Sequence, residues 1–213
     1  MNYRVSRYAI IILKHLFYKF LIFNIAYRDM QYFFMNTTNI NIQLKPQDVV
    51  LLLKLLSINN DRWNQKPTAD ALGMSQSEVS ESVKRSKFSG LLDPKGKKVM
   101  KTALMEFLQY GFRYVFPQKP GAVVRGVPTS HSASPLKEEI QSSEHYVWPY
   151  VKGTLRGHSI TLLYPSVPKA ALQDPVFHEL LALADALRVG RARERELAIK
   201  ELQIRLQIGE QDN

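Results

Sequence analysis

Residues 68–85 read TADALGMSQSEVSESVKR, and this stretch is the most informative part of the sequence. It predicts a short helix that ends near Leu72, a turn at Gly73 and a second helix that begins after Ser75. Glycine adopts left-handed backbone conformations without steric cost and therefore suits the turn. Ser75 and Glu78 have the spacing of a capping box, which marks a helix start. The stretch therefore predicts two helices joined by a tight turn.

Apolar spacing indicates how these helices pack. Val79 and Val83 are four residues apart, so they share a face and are expected to pack on the preceding helix. Residues 46–57 predict an earlier helix, apolar enough to form the centre of a three-helix core, with Asp48 beside the positive end of its dipole. Trp63 is expected to pack at the edge of that core.

The polar face of the second helix predicts a surface that contacts double-stranded DNA. Short polar side chains near a helix start read base edges, whereas phosphates attract cations. We expect Gln76, Ser77 and Ser80 to read bases. We expect Lys84 and Arg85, further along the helix, to contact phosphate. With its flanking residues the predicted surface comprises Ser75, Gln76, Ser77, Ser80, Glu81, Lys84 and Arg85.

This pattern resembles the helix-turn-helix of bacterial winged-helix transcriptional regulators, including those of the multiple-antibiotic-resistance-regulator type. The resemblance covers roughly residues 44–116, about a third of the chain. It implies a DNA-binding repressor or activator. Such recognition helices act in pairs, so we expect a homodimer.

A lysine-rich turn follows the second helix at residues 93–98, where winged-helix proteins place a β-hairpin that touches DNA. Lys95, Lys97 and Lys98 are therefore further candidate DNA contacts. No clear second wing strand follows, because residues 101–111 are predicted to form a helix. The wing is thus expected to be short or absent. Just before the turn, three apolar residues are expected to anchor the chain in the core: Phe88, Leu91 and Leu92.

Charge and composition favour a binding protein with an anionic partner. The formal net charge is +10, and residues 44–116 carry twelve Lys and Arg against seven Asp and Glu. The chain has no cysteine, which excludes disulfides and thiolate metal sites and is compatible with a reducing cytoplasm, where we expect it to act. The five histidines lack metal-ligand spacing, and no phosphate loop or nucleophile elbow occurs. We expect no enzyme activity, no metal and no cofactor.

Residues 1–43 differ from the rest: Ile, Phe, Tyr, Asn and Lys together make up 24 of the 43 residues, and Gly and Pro are absent. Three interpretations remain open: a membrane or interfacial helix, a helix that packs on the domain or on a partner, or upstream sequence translated before a start at Met35. We favour the third, because AT-rich codons encode these residue types. Residues 8–27 form an apolar run, but Lys14 and Lys19 lie within it. Because charged side chains are costly inside a bilayer, a membrane association is not expected.

Residues 117–213 predict a small β-containing segment followed by helices. Short strands are expected at 122–127, 146–151 and 159–164, with a polar loop at 128–135 that either binds an anion or is a flexible surface loop. Two helices are expected to follow, one from Asp174-Pro175 and one from Arg191. The arginines at 188, 191, 193 and 195 are expected to be solvated, with a second DNA or partner contact as the alternative. The predicted fold is α+β and mainly α.

Two roles remain open for residues 117–213. In a transcriptional regulator they would form a dimerisation or effector domain. In an antitoxin-like protein they would bind another protein, and the helix-turn-helix would regulate its own gene. We expect the dimer interface on the last helix, at Leu202 and Leu206. The rival interpretation packs that edge on the preceding helix, 175–187, of the same chain.

Overall fold

The computed structural model describes residues 43–208, and these residues are mainly helical with one small β-sheet. The prediction of an α+β, mainly α fold is confirmed. The compact unit begins at Gln43 and includes both the 44–116 and the 117–213 segments, which share one core. The interpretations offered for residues 1–42 lie outside the described residues.

The longer helices agree with the sequence pattern, whereas the two short helices Leu136–Glu139 and Val167–Gln173 were not predicted. In chain order they are α1 Pro46–Ile58, α2 Gln65–Leu72, α3 Gln76–Phe88, α4 Lys101–Glu106, α5 Phe112–Val115, α6 Leu136–Glu139, α7 Val167–Gln173, α8 Pro175–Val189 and α9 Ala192–Leu206. A π-helical turn, Phe107–Gly111, joins α4 to α5. The predicted starts at Pro46 and Pro175 are confirmed, since proline needs no hydrogen bond in a first helical turn.

Helix α1 is the centre of the core. Its five consecutive residues from Val49 to Leu53 are at most 1% exposed. Successive helical residues point about 100° apart, so five in a row cover every side of the helix. Helix α8 closes the side that α2 and α3 leave open, and Lys54 of α1 donates to Asp174, the N-cap of α8, at 2.7 Å. The core therefore extends beyond three helices.

The last helix packs on its own chain. Ala198, Leu202 and Leu206 are at most 1% exposed, and α9 lies against α8. The prediction that Leu202 and Leu206 form an uncovered dimerisation edge is wrong, and the rival interpretation is confirmed. The apolar edge is covered because the break at Gly190 lets α9 fold back along α8.

Each of the three strands pairs with the other two, so the small sheet is closed. Strand β1 (Val123–Pro128) is antiparallel to β2 (Tyr146–Pro149) and to β3 (Leu155–Ser159), while β2 and β3 are parallel. The third strand is predicted at 159–164 but forms at Leu155–Ser159, so that prediction is wrong. Glycine is typical of turns, but Gly157 lies inside β3, where an added Cβ would come within 2.4 Å of the His145 carbonyl oxygen. Glycine here allows two backbones to approach each other.

The polar loop after β1 turns inward. Thr129, Ser130 and His131 are buried, so the prediction of a flexible surface loop is wrong. Thr129 Oγ1 donates to Asp185 Oδ2 at 2.9 Å, and Trp148 Nε1 donates to the same oxygen at 2.6 Å. The loop is ordered because α8 supplies a buried acceptor for it.

Arg188 completes this buried network. Its Nη2 lies 2.6 Å from Asp185 Oδ1 and 2.9 Å from the Thr161 carbonyl oxygen. The prediction that Arg188 is solvated is therefore wrong. The paired carboxylate makes its burial possible.

Candidate nucleic-acid interface

Gly73 joins α2 to α3 in the predicted left-handed conformation, with φ of 62°. Its N–H donates to the Asp70 carbonyl at 3.2 Å, and the Met74 N–H donates to the Ala69 carbonyl at 2.9 Å. These two bonds form the Schellman pattern that ends many helices. A Cβ on Gly73 would lie 3.0 Å from the Cβ of Ser166. Both the backbone conformation and a close neighbour therefore require glycine here.

The capping box that starts α3 is present in both directions. Ser75 Oγ accepts from the Glu78 N–H at 3.1 Å, and Glu78 Oε2 accepts from the Ser75 N–H at 2.8 Å. Tyr164 donates its hydroxyl to Glu78 Oε1 at 2.8 Å. The bonds from the Ser75 backbone, the Ser75 side chain and Tyr164 lower the pKa of Glu78. An ionised Glu78 thus fixes the start of α3.

Arg85 fixes the other half of α3 to α1. Its Nε and Nη2 lie 2.8 Å and 2.6 Å from the two carboxylate oxygens of Asp48, which is fully buried. Ser82 Oγ also donates to Asp48. Arg85 is itself only 5% exposed, so the prediction that it lies on the outer face is wrong. It turns inward because Asp48 supplies a bidentate partner in the core.

The exposed edge of α3 retains the rest of the predicted surface. Ser75, Gln76, Ser77, Glu81 and Lys84 are exposed, and Ser80 is half-buried. Lys84 Nζ lies 2.7 Å from Glu81 Oε1, a contact that lowers the pKa of Glu81. Lys87 is exposed one turn after Lys84. It was missed, although its spacing of three residues from Lys84 places it on the same side.

The end of α3 differs from the prediction at Phe88. Leu91 and Leu92 are buried as expected, but Phe88 is 68% exposed. Phe88 lies nine residues after the buried Val79, which at about 100° per residue puts it half a turn out of phase. The anchoring role predicted for Phe88 is therefore wrong.

A tight turn follows α3 at residues 93–98. One antiparallel bridge, between Leu92 and Val99, closes it, and α4 begins at Lys101. The Asp93 carboxylate accepts from three backbone N–H groups of the turn, at 2.5 to 3.3 Å. These bonds, above all the one from the Lys98 N–H, lower the pKa of the Asp93 carboxyl, although partial burial acts in the opposite direction. The turn is thus rigid without a second strand.

The three lysines of this turn have different surroundings. Lys95, Lys97 and Lys98 are all exposed. Lys97 Nζ donates to the Trp63 carbonyl at 2.9 Å, and Lys98 Nζ lies 3.0 Å from Asp61 Oδ2. Trp63 is buried as predicted. Lys97 and Lys98 therefore brace the turn, while Lys95 projects from its tip.

The turn lies against α3. A Cβ on Gly96 would come within 3.2 Å of Val83 Cγ1. The structure therefore brings the lysine turn and the exposed edge of α3 together, and it separates Arg85 from both.

Within residues 43–208, no group of three or more His, Asp or Glu side chains is placed to hold a metal ion. No helix of that range combines the length and apolarity needed to cross a bilayer.

Comparison of the chain with protein-family models, with curated proteins and with solved structures finds no match.

Proposed function

We propose that this protein is a sequence-specific, double-stranded-DNA-binding transcriptional regulator with α3 as its recognition helix. The observation that carries the proposal is the exposed edge of α3. It presents Gln76 and Ser77 at the helix start and Lys84 two turns further on. The major groove is about 12 Å wide and admits an α-helix, with polar residues meeting base edges and cations meeting phosphates.

Rigid placement of α3 supports this role. The capping box fixes its start, and the Arg85–Asp48 pair fixes its second half to α1. A recognition helix must enter the groove in one orientation, because each bidentate base contact depends on the direction of its donors.

The lysine turn supplies a second set of cations on the α3 side. We propose that it acts as a wing reduced to the single Leu92–Val99 bridge. We propose that Lys95 contacts phosphate beside the groove that α3 occupies. Lys97 and Lys98 add positive charge to the same surface.

We further propose that the protein binds DNA as a homodimer. One recognition helix buries little surface, and two-fold symmetry doubles the contact. The bound site would then contain two half-sites about 34–36 Å, one helical turn, apart.

The test begins with selection of a preferred duplex from a random library by the full chain, followed by fluorescence anisotropy. Gln76→Ala should relax the preference at one or two base pairs, costing about 1–3 kcal/mol on the selected duplex. Lys84→Ala should weaken binding to all duplexes alike and flatten the log-log salt dependence by about one unit. Lys200→Ala, an exposed lysine on α9, is the matched control.

The proposal fails if the full chain binds no duplex, or if both α3 variants bind as the unchanged protein does. If Lys200→Ala lost as much affinity for the duplex as Lys84→Ala, the loss would reflect the change in net charge and not a contact made by Lys84.

A second candidate function is binding of a protein partner, as in an antitoxin that regulates its own gene. The favouring observation is a groove bordered by the end of α1, α8 and α9, whose lining includes Val176 and Ile204, which are 54% and 59% exposed. If this groove holds a partner, Ile204→Glu should abolish co-purification of that protein from the native host and leave DNA binding intact.

A further inference from the structure

Two arginines lie directly opposite each other on the sheet. Arg125 of β1 is the antiparallel register partner of Arg156 of β3, and both are exposed. Opposed residues of an antiparallel pair project from the same face, with Cβ atoms about 4.5–5.5 Å apart. Like charges in this position destabilise a sheet. An anion lying between the two guanidinium groups would remove that repulsion.

The described residues place no such anion between the two arginines. Within residues 43–208, neither guanidinium takes part in an ion pair. Residues 107–137 and 145–173 contain seven Lys and Arg and no Asp or Glu. Two other arginines differ from this pair: Arg205 of α9 lies 2.9 Å from Glu179, and Arg191, just before α9, lies 3.4 Å from Glu144.

A third cation borders the pair. The Tyr150 N–H donates to the Arg125 carbonyl at 3.2 Å, which places the 150–153 turn beside β1. Lys152 of this turn is exposed. An open groove lined by Arg125, Pro149, Tyr150 and Val151 runs along this edge. We call Arg125, Lys152 and Arg156 the arginine face.

We propose that the arginine face binds phosphates of the DNA backbone outside the site that α3 reads. This inference rests on the proposed function. The guanidinium group offers a planar fork of donors that matches a phosphate, and strongly exposed side chains on a sheet face can follow a backbone without reading bases.

The distance to α3 is compatible with one duplex. Arg156 precedes Tyr164 by eight residues, which span at most about 29 Å when fully extended. Tyr164 in turn contacts Glu78 at the start of α3. One turn of B-DNA rises about 34 Å, so one duplex is long enough to reach both surfaces.

The experiment uses the full chain with Arg125→Gln and Arg156→Gln combined. The selected duplex and an unrelated duplex of equal length are titrated by anisotropy over a range of salt concentrations. We expect weaker binding to both duplexes by the same factor, unchanged preference between them, and a log-log salt slope reduced by about two units, one per phosphate. The thermal midpoint should stay the same or rise, because the opposed charges are gone.

The matched control combines Arg193→Gln with Lys200→Gln, which removes the same charge from exposed positions of α9. Its salt slope should stay close to that of the unchanged protein. An equal loss in this control overturns the inference, as does a drop in thermal midpoint that accompanies the lost affinity.

Failure of the inference can be told from failure of the proposed function. If the double variant binds both duplexes normally while Gln76→Ala still relaxes the preference, the arginine face is not a DNA contact and α3 remains the reader. If the unchanged protein binds no duplex at all, both are overturned. Binding of phosphatidylserine vesicles that needs these arginines, with DNA binding unaffected, assigns the face to a membrane surface instead.

Discussion

Lys84 and Arg85 are neighbours in the chain, but their surroundings differ. Lys84 is exposed and pairs with Glu81 on the surface, whereas Arg85 is buried against Asp48. Surface ion pairs contribute about 0–1 kcal/mol, since water and salt screen both charges. Removing one member of a buried pair leaves the other charge uncompensated, which costs about 3–5 kcal/mol. Arg85 therefore stabilises the fold, whereas Lys84 is the cation that we propose contacts phosphate.

We expect Arg85→Gln to lower the free energy of unfolding by about 3–5 kcal/mol in urea titrations, because Asp48 then stays buried without its partner. Lys84→Gln, the matched control, should change it by less than about 1 kcal/mol. The combined Asp48→Asn and Arg85→Gln variant should be less destabilised than Arg85→Gln alone. Equal stability of the two single variants would contradict the assignment of Arg85 to the core.

The inward turn of Arg85 could not be predicted from the α3 pattern alone. Its partner Asp48 lies 37 residues earlier, on a helix where it was assigned to the dipole end. Asp48 does fill that position, because it also accepts from the Lys45 N–H at 2.7 Å. Local spacing predicts which residues are near in the chain, but a buried ion pair depends on tertiary packing.

Among the elements, the turn between α2 and α3 depends most on a single residue. Gly73 and Gly90 both have positive φ, 62° and 71°. A Cβ at position 73 would press on Ser166, while position 90 has nothing within 4 Å. Substitution of Gly90 therefore tests backbone strain alone, whereas substitution of Gly73 tests strain and steric crowding together.

We expect Gly90→Ala to cost about 1–2 kcal/mol of unfolding free energy, the cost of a left-handed conformation for a residue with a Cβ. Gly73→Ala should cost more, because the Ser166 contact adds to the same strain. Thermal denaturation of both variants tests whether Gly73→Ala is the less stable one. If the Gly73 variant is as stable as the Gly90 variant, Ser166 can move away from the added methyl group without loss of stability.

Helices with clear caps were predicted well, and strands less so. The serine cap of α3 and the Asp174-Pro175 start of α8 each fix a helix through neighbouring residues, so the sequence pattern was sufficient. Strand β3 was displaced because Gly157 serves a backbone contact from a distant segment. The exposed edge of α3 followed from the helical period. The arginine face instead depends on the register that pairs Arg125 with Arg156, 31 residues later, which no local pattern contains.

In the part of the chain that the structure describes, one core joins the segments before and after residue 117. Helix α8 covers one side of α1, and Ser166 donates to the Leu72 carbonyl at the end of α2. A fragment limited to residues 44–116 would expose the α1 surface that α8 covers. Burial of apolar area contributes about 25 cal/mol per Å², so this exposure is costly.

We therefore expect a 44–116 fragment to show less helical circular dichroism per residue than a 43–208 fragment, and to unfold without a cooperative transition. The longer fragment should melt cooperatively. A 44–116 fragment that melts sharply, with full helical signal, would mean that α1, α2 and α3 suffice as a core.

The complete enclosure of α1 also has a consequence for amide hydrogen exchange. Backbone N–H groups exchange with solvent only when an opening exposes them, and most surface helices open locally. Every side of α1 from Val49 to Leu53 is covered, so no local opening frees it without disrupting α8 as well. The amides of Leu51, Leu52 and Leu53 should therefore exchange only through global unfolding. Their protection, measured in deuterium oxide, should equal the unfolding free energy from urea, whereas the amides near the exposed end of α3 should exchange at a lower free energy.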